Sequence, residues 1–120
     1  MTIKKFTDLV AWKKGHILVV QVYKILDAFP HKEIFALSDQ IRRSSVSITS
    51  NIAEGFSRQG KKEKIQFYYL SMGSLTELQN QLLIAKDVGY ISKEHFDPLA
   101  KKTVEVSKLI RGLIKSLSKK

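Results

Sequence analysis

Between Ser92 and Leu117, side chains at Phe96, Leu99, Thr103, Val106, Ile110, Leu113 and Leu117 alternate steps of three and four. That spacing brings all seven onto one face of a helix and onto no face of a strand. Ser92 stands where an N-cap belongs, and Pro98 is close enough to the start to be tolerated in the first turn or just inside it. Three earlier segments keep the same rhythm. From about Asp8 to Ala28, with Thr7 or Asp8 as N-cap, the spacing predicts a buried face of Leu9, Trp12, His16, Val19, Tyr23 and Leu26. From about Ile34 to Ser57 the face is Leu37, Ile41, Ile48, Ile52 and Phe56, and from about Lys61 to Val88 it is Ile65, Tyr68, Met72, Leu75, Gln79 and Leu82. Phe29-Pro30 stops the first segment, and Gly89 sits where a left-handed C-cap closes the third. No stretch alternates like a strand. The pattern predicts one all-α domain over 1–120, an antiparallel up-and-down four-helix bundle with helices about 30–40 Å long.

Charge narrows the function classes. Lys and Arg number 21 against 11 Asp and Glu, a formal charge of +10. That balance favours a polyanionic partner and excludes an acidic, solvating chain. Cysteine is absent, so a disulfide framework, a thiolate metal site and a cysteine nucleophile are all excluded. The first residues alternate charge with apolar side chains and lack the apolar core of a signal peptide, and Gly15 to Tyr23, like every other uncharged stretch, is too short to cross a bilayer. The expectation is a cytoplasmic protein with no membrane partner.

Catalysis finds little support. His16, His31 and His95 lie in different segments with no ligand at metal-binding spacing, and no Glu-x-x-His pair is present, so no metal or cofactor is expected. Gly55-Phe56-Ser57-Arg58-Gln59-Gly60-Lys61-Lys62 comes within one residue of a P-loop, but it lacks the magnesium-holding hydroxyl and follows a helical pattern instead of a strand. The same stretch crowds Arg58, Lys61, Lys62 and Lys64 around a helix start, where free N–H groups favour anions. A phosphate site and a solvated basic loop both fit. A second dense group, Lys101, Lys102, Lys108, Arg111, Lys115, Lys119 and Lys120, runs along the last segment.

The second segment carries another periodic row: Gln40, Arg43, Ser47, Asn51, Glu54 and Arg58. It mixes both charge signs with amides and hydroxyls, and Glu77 lies on the third segment near the small residues Gly73 and Ser74. Ordinary surface, a polar network at a helix or subunit contact, and a ligand site all compete; the network is the favoured reading, because buried charges must pair.

These residues also resemble a known family. Phe6-x-x-Leu9-x-x-Trp12, Phe29-Pro30-x-x-Glu33, Leu37-x-x-Gln40-x-Arg42-Arg43, Ser47-Ile48-x-x-Asn51-Ile52-Ala53-Glu54-Gly55-x-x-Arg58, Gly73-Ser74-x-x-Glu77-Leu78-x-x-Gln81 and Gly89-Tyr90 resemble the four-helix-bundle proteins encoded in intervening sequences of bacterial 23S rRNA genes. Asn51-Ile52-Ala53-Glu54-Gly55 is the most specific element, and the likeness runs to about Tyr90. Thr49 stands where the family often has Pro, and Ser71 where it often has Ala. The family is similar in fold to the accessory variability determinant of diversity-generating retroelements, a basic pentameric ring that engages nucleic acid. The resemblance therefore implies a ring-shaped homopentamer. Together with the charge, it sets the expectation of a non-enzymatic, RNA- or DNA-binding oligomer that contacts phosphates through Arg58, Lys61, Lys62, Lys64, Lys101, Lys102, Lys108, Arg111 and Lys115. Gln40, Arg43, Ser47, Asn51, Glu54 and Glu77 would then serve the bundle or the subunit contact. The alternative is an accessory module whose basic ring docks a protein partner.

Overall fold

In the computed structural model, which describes residues 2–119, four helices follow one another: α1 (Val10–Leu26), α2 (Leu37–Ser57), α3 (Lys61–Asp87) and α4 (Lys93–Ser118). Lys120, the last of the cations named above, lies outside the described residues. Short 3-10 turns, Phe6–Asp8 and His31–Glu33, precede α1 and α2. Each helix packs on two others in a closed order, α1 on α2 and α4, and α3 on α2 and α4, so α1 and α3 stand across the diagonal from each other. The bundle measures 46 × 25 × 20 Å.

Where the helices stop follows from local chemistry. Gly89 adopts a φ of +89°, which lets its N–H reach Lys86 O at 3.0 Å while Tyr90 N–H reaches Ala85 O at 2.8 Å. These two bonds satisfy the last carbonyls of α3 in a Schellman cap. Ser92 Oγ accepts the His95 N–H at 3.3 Å and caps α4. Pro98 falls in the second turn of α4, beyond the position where proline costs a helix nothing. Two starts differ from expectation. Asp8 belongs to the 3-10 turn, where its carboxylate accepts the N–H groups of Lys5 and Lys4, bonds that hold its pKa below the usual range. Helix α2 begins at Leu37, because residues 31–33 form a separate turn whose Glu33 carboxylate accepts the Leu37 N–H at 3.2 Å. The other Glu33 oxygen accepts from the Tyr90 hydroxyl at 2.9 Å, tying the first loop to the third and raising the pKa of that phenol.

The core is built from Leu18 and Val22 of α1, Ile41, Ile48 and Ile52 of α2, Leu75, Leu78 and Leu82 of α3, and Val106 and Ile110 of α4. Tyr68 is buried as its spacing predicts, and burial pushes its phenol pKa up. On α4 the buried face is Phe96, Leu99, Thr103, Val106, Ile110 and Ile114, with Leu113 and Leu117 half-buried beside it. On α1 the expected face is corrected by one residue: Ala11, Gly15, Leu18 and Val22 turn inward, whereas His16 and Tyr23 are exposed. Small residues decide this register. Gly15 lets the chain approach α2 so closely that a Cβ there would stand 3.1 Å from Thr49 Cγ2. His16 instead stacks on the Trp12 ring, with centroids 4.7 Å apart.

The α2–α3 seam is stitched by polar bonds inside the apolar core. Ser44 Oγ donates to Gln81 Oε1 at 2.7 Å, and Ser71 Oγ donates to the Ile48 carbonyl at 2.7 Å. Removing one partner strands the other in a dry site, so Ser44→Ala is expected to lower unfolding free energy by about 1–3 kcal/mol. Adding Gln81→Leu should recover most of that loss in urea titrations, since neither polar group then remains.

Candidate nucleic-acid interface

Helix α4 presents its core face inward and a row of cations outward. Lys101, Lys108, Arg111, Lys115 and Lys119 are all exposed. At 100° per residue these five fall within about 80° of arc, and at 1.5 Å per residue the row runs about 27 Å. No acidic residue follows Glu105 in the sequence. The two carboxylates nearest the row are already engaged: Asp97 with Lys93 at 2.7 Å, and Glu105 with Lys102 at 3.2 Å and Lys14 at 3.9 Å. The Asp97 contact raises the Lys93 pKa, keeping that ammonium charged. Lys102 is thus paired, whereas Lys101, Lys108, Arg111 and Lys115 form no ion pair among the described residues. Positive charge of this density and reach suits a phosphate backbone better than a single anion.

The cluster at the α2–α3 turn divides in two. Arg58 pairs with Glu54 at 3.0 Å and lays its guanidinium 4.7 Å from the Phe67 ring centroid. Lys64 folds back over α2, donating from Nζ to the Phe56 carbonyl at 2.7 Å and the Gly55 carbonyl at 3.4 Å. A cation on the last carbonyls of a helix stabilises its C-terminus, so both residues close the turn between α2 and α3. Lys61 and Lys62 are exposed and form no ion pair among the described residues.

The polar row on α2 lies along the groove toward α3. Asn51 donates from Nδ2 to the Ser47 carbonyl at 2.8 Å, and Glu54 holds Arg58. Gln40, Arg43, Ser47 and Glu77 border a hollow of about 290 Å³ together with Asp39 and Ser44. No hydrogen bond or ion pair joins Arg43 to Glu77 among the described residues, so these side chains share a surface instead of forming a closed network within one chain. The buried polar network is elsewhere, in Ser44–Gln81, Ser71–Ile48 and Gln79–Thr103 (3.1 Å). Its serines escape periodicity arguments because they are scored as polar, although Gln81 and Ser71 stand on the inner side of α3.

No group of three or more His, Asp or Glu able to hold a metal occurs among the described residues, and no helix there is long and apolar enough to cross a membrane. Residues 7–112 match the family model described as 23S rRNA-intervening sequence protein. Among solved structures, the chain is similar to a protein of unknown function from the S23 ribosomal protein family of Bacteroides thetaiotaomicron VPI-5482. The two share 24% identity with a TM-score of 0.82, over 88% of this chain and 99% of that one. No curated protein matches.

Proposed function

Because the chain belongs to the 23S rRNA-intervening sequence protein family, we propose that it is a non-enzymatic, self-associating helical bundle that binds the phosphate backbone of RNA or DNA. The observation that carries this reading is the α4 row: four exposed cations, Lys101, Lys108, Arg111 and Lys115, continued by Lys119 and forming no ion pair among the described residues. Lys61 and Lys62 extend the basic surface, while Arg58 and Lys64 hold the turn beside them. Contact is to phosphates with little reading of bases, since Tyr68 is buried, Phe67 lies against Arg58 and Tyr90 is tied to Glu33, which leaves Tyr69 as the one exposed aromatic side chain on α3. An up-and-down, antiparallel course fits the cross-helix bonds, in which rising numbers on α2 (44, 48) meet falling numbers on α3 (81, 71). The ring, with five copies as the family resemblance implies, would repeat the α4 row around a common axis.

Light scattering with and without a short RNA duplex tests the reading at about 50 mM and about 200 mM salt. An oligomer that takes up RNA at the lower salt and releases it at the higher supports the proposal. An oligomer indifferent to RNA at both would move the function to docking of a protein partner.

A further inference from the structure

Where α1 ends and α2 begins, the chain borders a hollow of about 490 Å³, within the size range of small-molecule sites. Helix α1 contributes Tyr23 and Asp27, the link between the helices an apolar lining with the His31 ring, and α2 contributes Ser38 and Arg42. Ser38 is 5% exposed, yet its hydroxyl makes no hydrogen bond among the described residues. The other buried serines of α2 behave differently: Ser44 and Ser45 donate to the carbonyls three residues back, at 3.1 and 2.9 Å. A buried hydroxyl without a partner costs free energy, and this one opens onto the hollow. A ligand seated there supplies the partner it lacks.

The start of α2 adds further donors beside Ser38. Ala36 provides no side-chain cap, Glu33 takes the Leu37 N–H, and the N–H groups of Ser38 and Asp39 have no acceptor among the described residues. Free N–H groups at a helix start favour an anion. Arg42 stands one turn on from Ser38, on the same side of the helix, and its ion pair with Asp39 is a loose 3.7 Å. A hydroxyl, two N–H groups and a guanidinium fork suit the three oxygens of a phosphate monoester better than the two of a carboxylate.

The α1 side of the hollow is of another kind. Tyr23 and His31 place rings beside the apolar lining, which suits a flat body. Asp27 is the one carboxylate that lines the hollow, and it forms no ion pair among the described residues. It accepts N–H donors and repels a second anion. We infer that the hollow binds a nucleoside monophosphate. The phosphate lies on Ser38, Arg42 and the start of α2, the base lies along Tyr23 and His31, and the N–H groups of the base turn to Asp27. The site is separate from the α4 row and does not depend on it.

Calorimetric titration of the full chain with guanosine monophosphate, guanosine and inorganic phosphate tests the inference. The nucleotide is expected to bind more tightly than either of its halves. Arg42→Gln should weaken it by about 10- to 100-fold and Ser38→Ala by about 2- to 10-fold. Because the Ser38 hydroxyl bonds to nothing in the fold, Ser38→Ala should leave the melting temperature unchanged or slightly raised, unlike Ser44→Ala. Should Arg42→Gln lose helix content by circular dichroism, Ser38→Ala carries the test. A nucleotide bound no tighter than phosphate, affinity indifferent to both substitutions, or a lowered melting temperature for Ser38→Ala overturns the inference. Both variants should keep salt-sensitive binding of an RNA duplex, and loss of RNA and nucleotide together would overturn the separate site. Nucleotide binding by a chain that ignores RNA would sink the proposed function and leave this inference standing.

Discussion

Gly55→Ala is expected to destabilise the bundle by about 1–3 kcal/mol, although alanine is the better helix former. An added Cβ would stand 2.7 Å from Tyr68 Cε1 and 3.0 Å from both Tyr68 Cδ1 and Phe67 Cβ. Tyr68 is 3% exposed and cannot swing away, so the clash must be relieved by spreading α2 from α3. The same substitution at Gly112, where a Cβ meets nothing within 4 Å, should raise stability by up to about 1 kcal/mol. Thermal unfolding separates the two: a fall of about 4–12 °C for Gly55→Ala against a small rise for Gly112→Ala. Equal shifts would mean that α2 and α3 do not meet at Gly55 as described.

The second large effect concerns binding. Reversing Lys108, Arg111 and Lys115 to Glu should lower affinity for an RNA duplex by about two orders of magnitude at low salt, because three phosphate contacts become three repulsions. All three side chains are exposed and form no ion pair among the described residues, so the fold should survive. Lys64→Glu has a different expected signature. It removes the cation that Gly55 and Phe56 share at the end of α2 and should lower melting temperature, with any loss of RNA affinity following from that. Binding isotherms and melting curves on the same variants tell the two apart.

Much of this was legible in the residues, for identifiable reasons. The α4 face could be read because Phe96, Leu99, Thr103, Val106 and Ile110 are flanked by Lys and Arg, which leaves one direction for the core. The α1 face could not, because Ile17, Leu18, Val19 and Val20 are apolar all round, and small residues at 11 and 15 decide which side packs. Ser44 of α2 and Ser71 of α3 fall outside the apolar rhythm, and only the α2–α3 packing brings Gln81 opposite the first and the Ile48 carbonyl opposite the second. Ser71, where the resemblance suggests Ala, spends its hydroxyl on that carbonyl at 2.7 Å. The α4 cations were visible as a composition and became a row once the helix was placed. Arg58 and Lys64 looked equivalent to Lys61 and Lys62 in sequence; only the turn geometry assigns their charges to Glu54 and to the carbonyls of α2.

Salt dependence tests most directly whether α4 is the surface that meets phosphates. The slope of log affinity against log salt should be measured for the unaltered chain, for Lys108→Gln with Arg111→Gln and Lys115→Gln, and for Lys61→Gln with Lys62→Gln. Neutralising three phosphate contacts should flatten the slope by about 2–3 in the α4 variant, with a smaller change in the α3 one. A slope in the α4 variant equal to that of the unaltered chain would contradict the account.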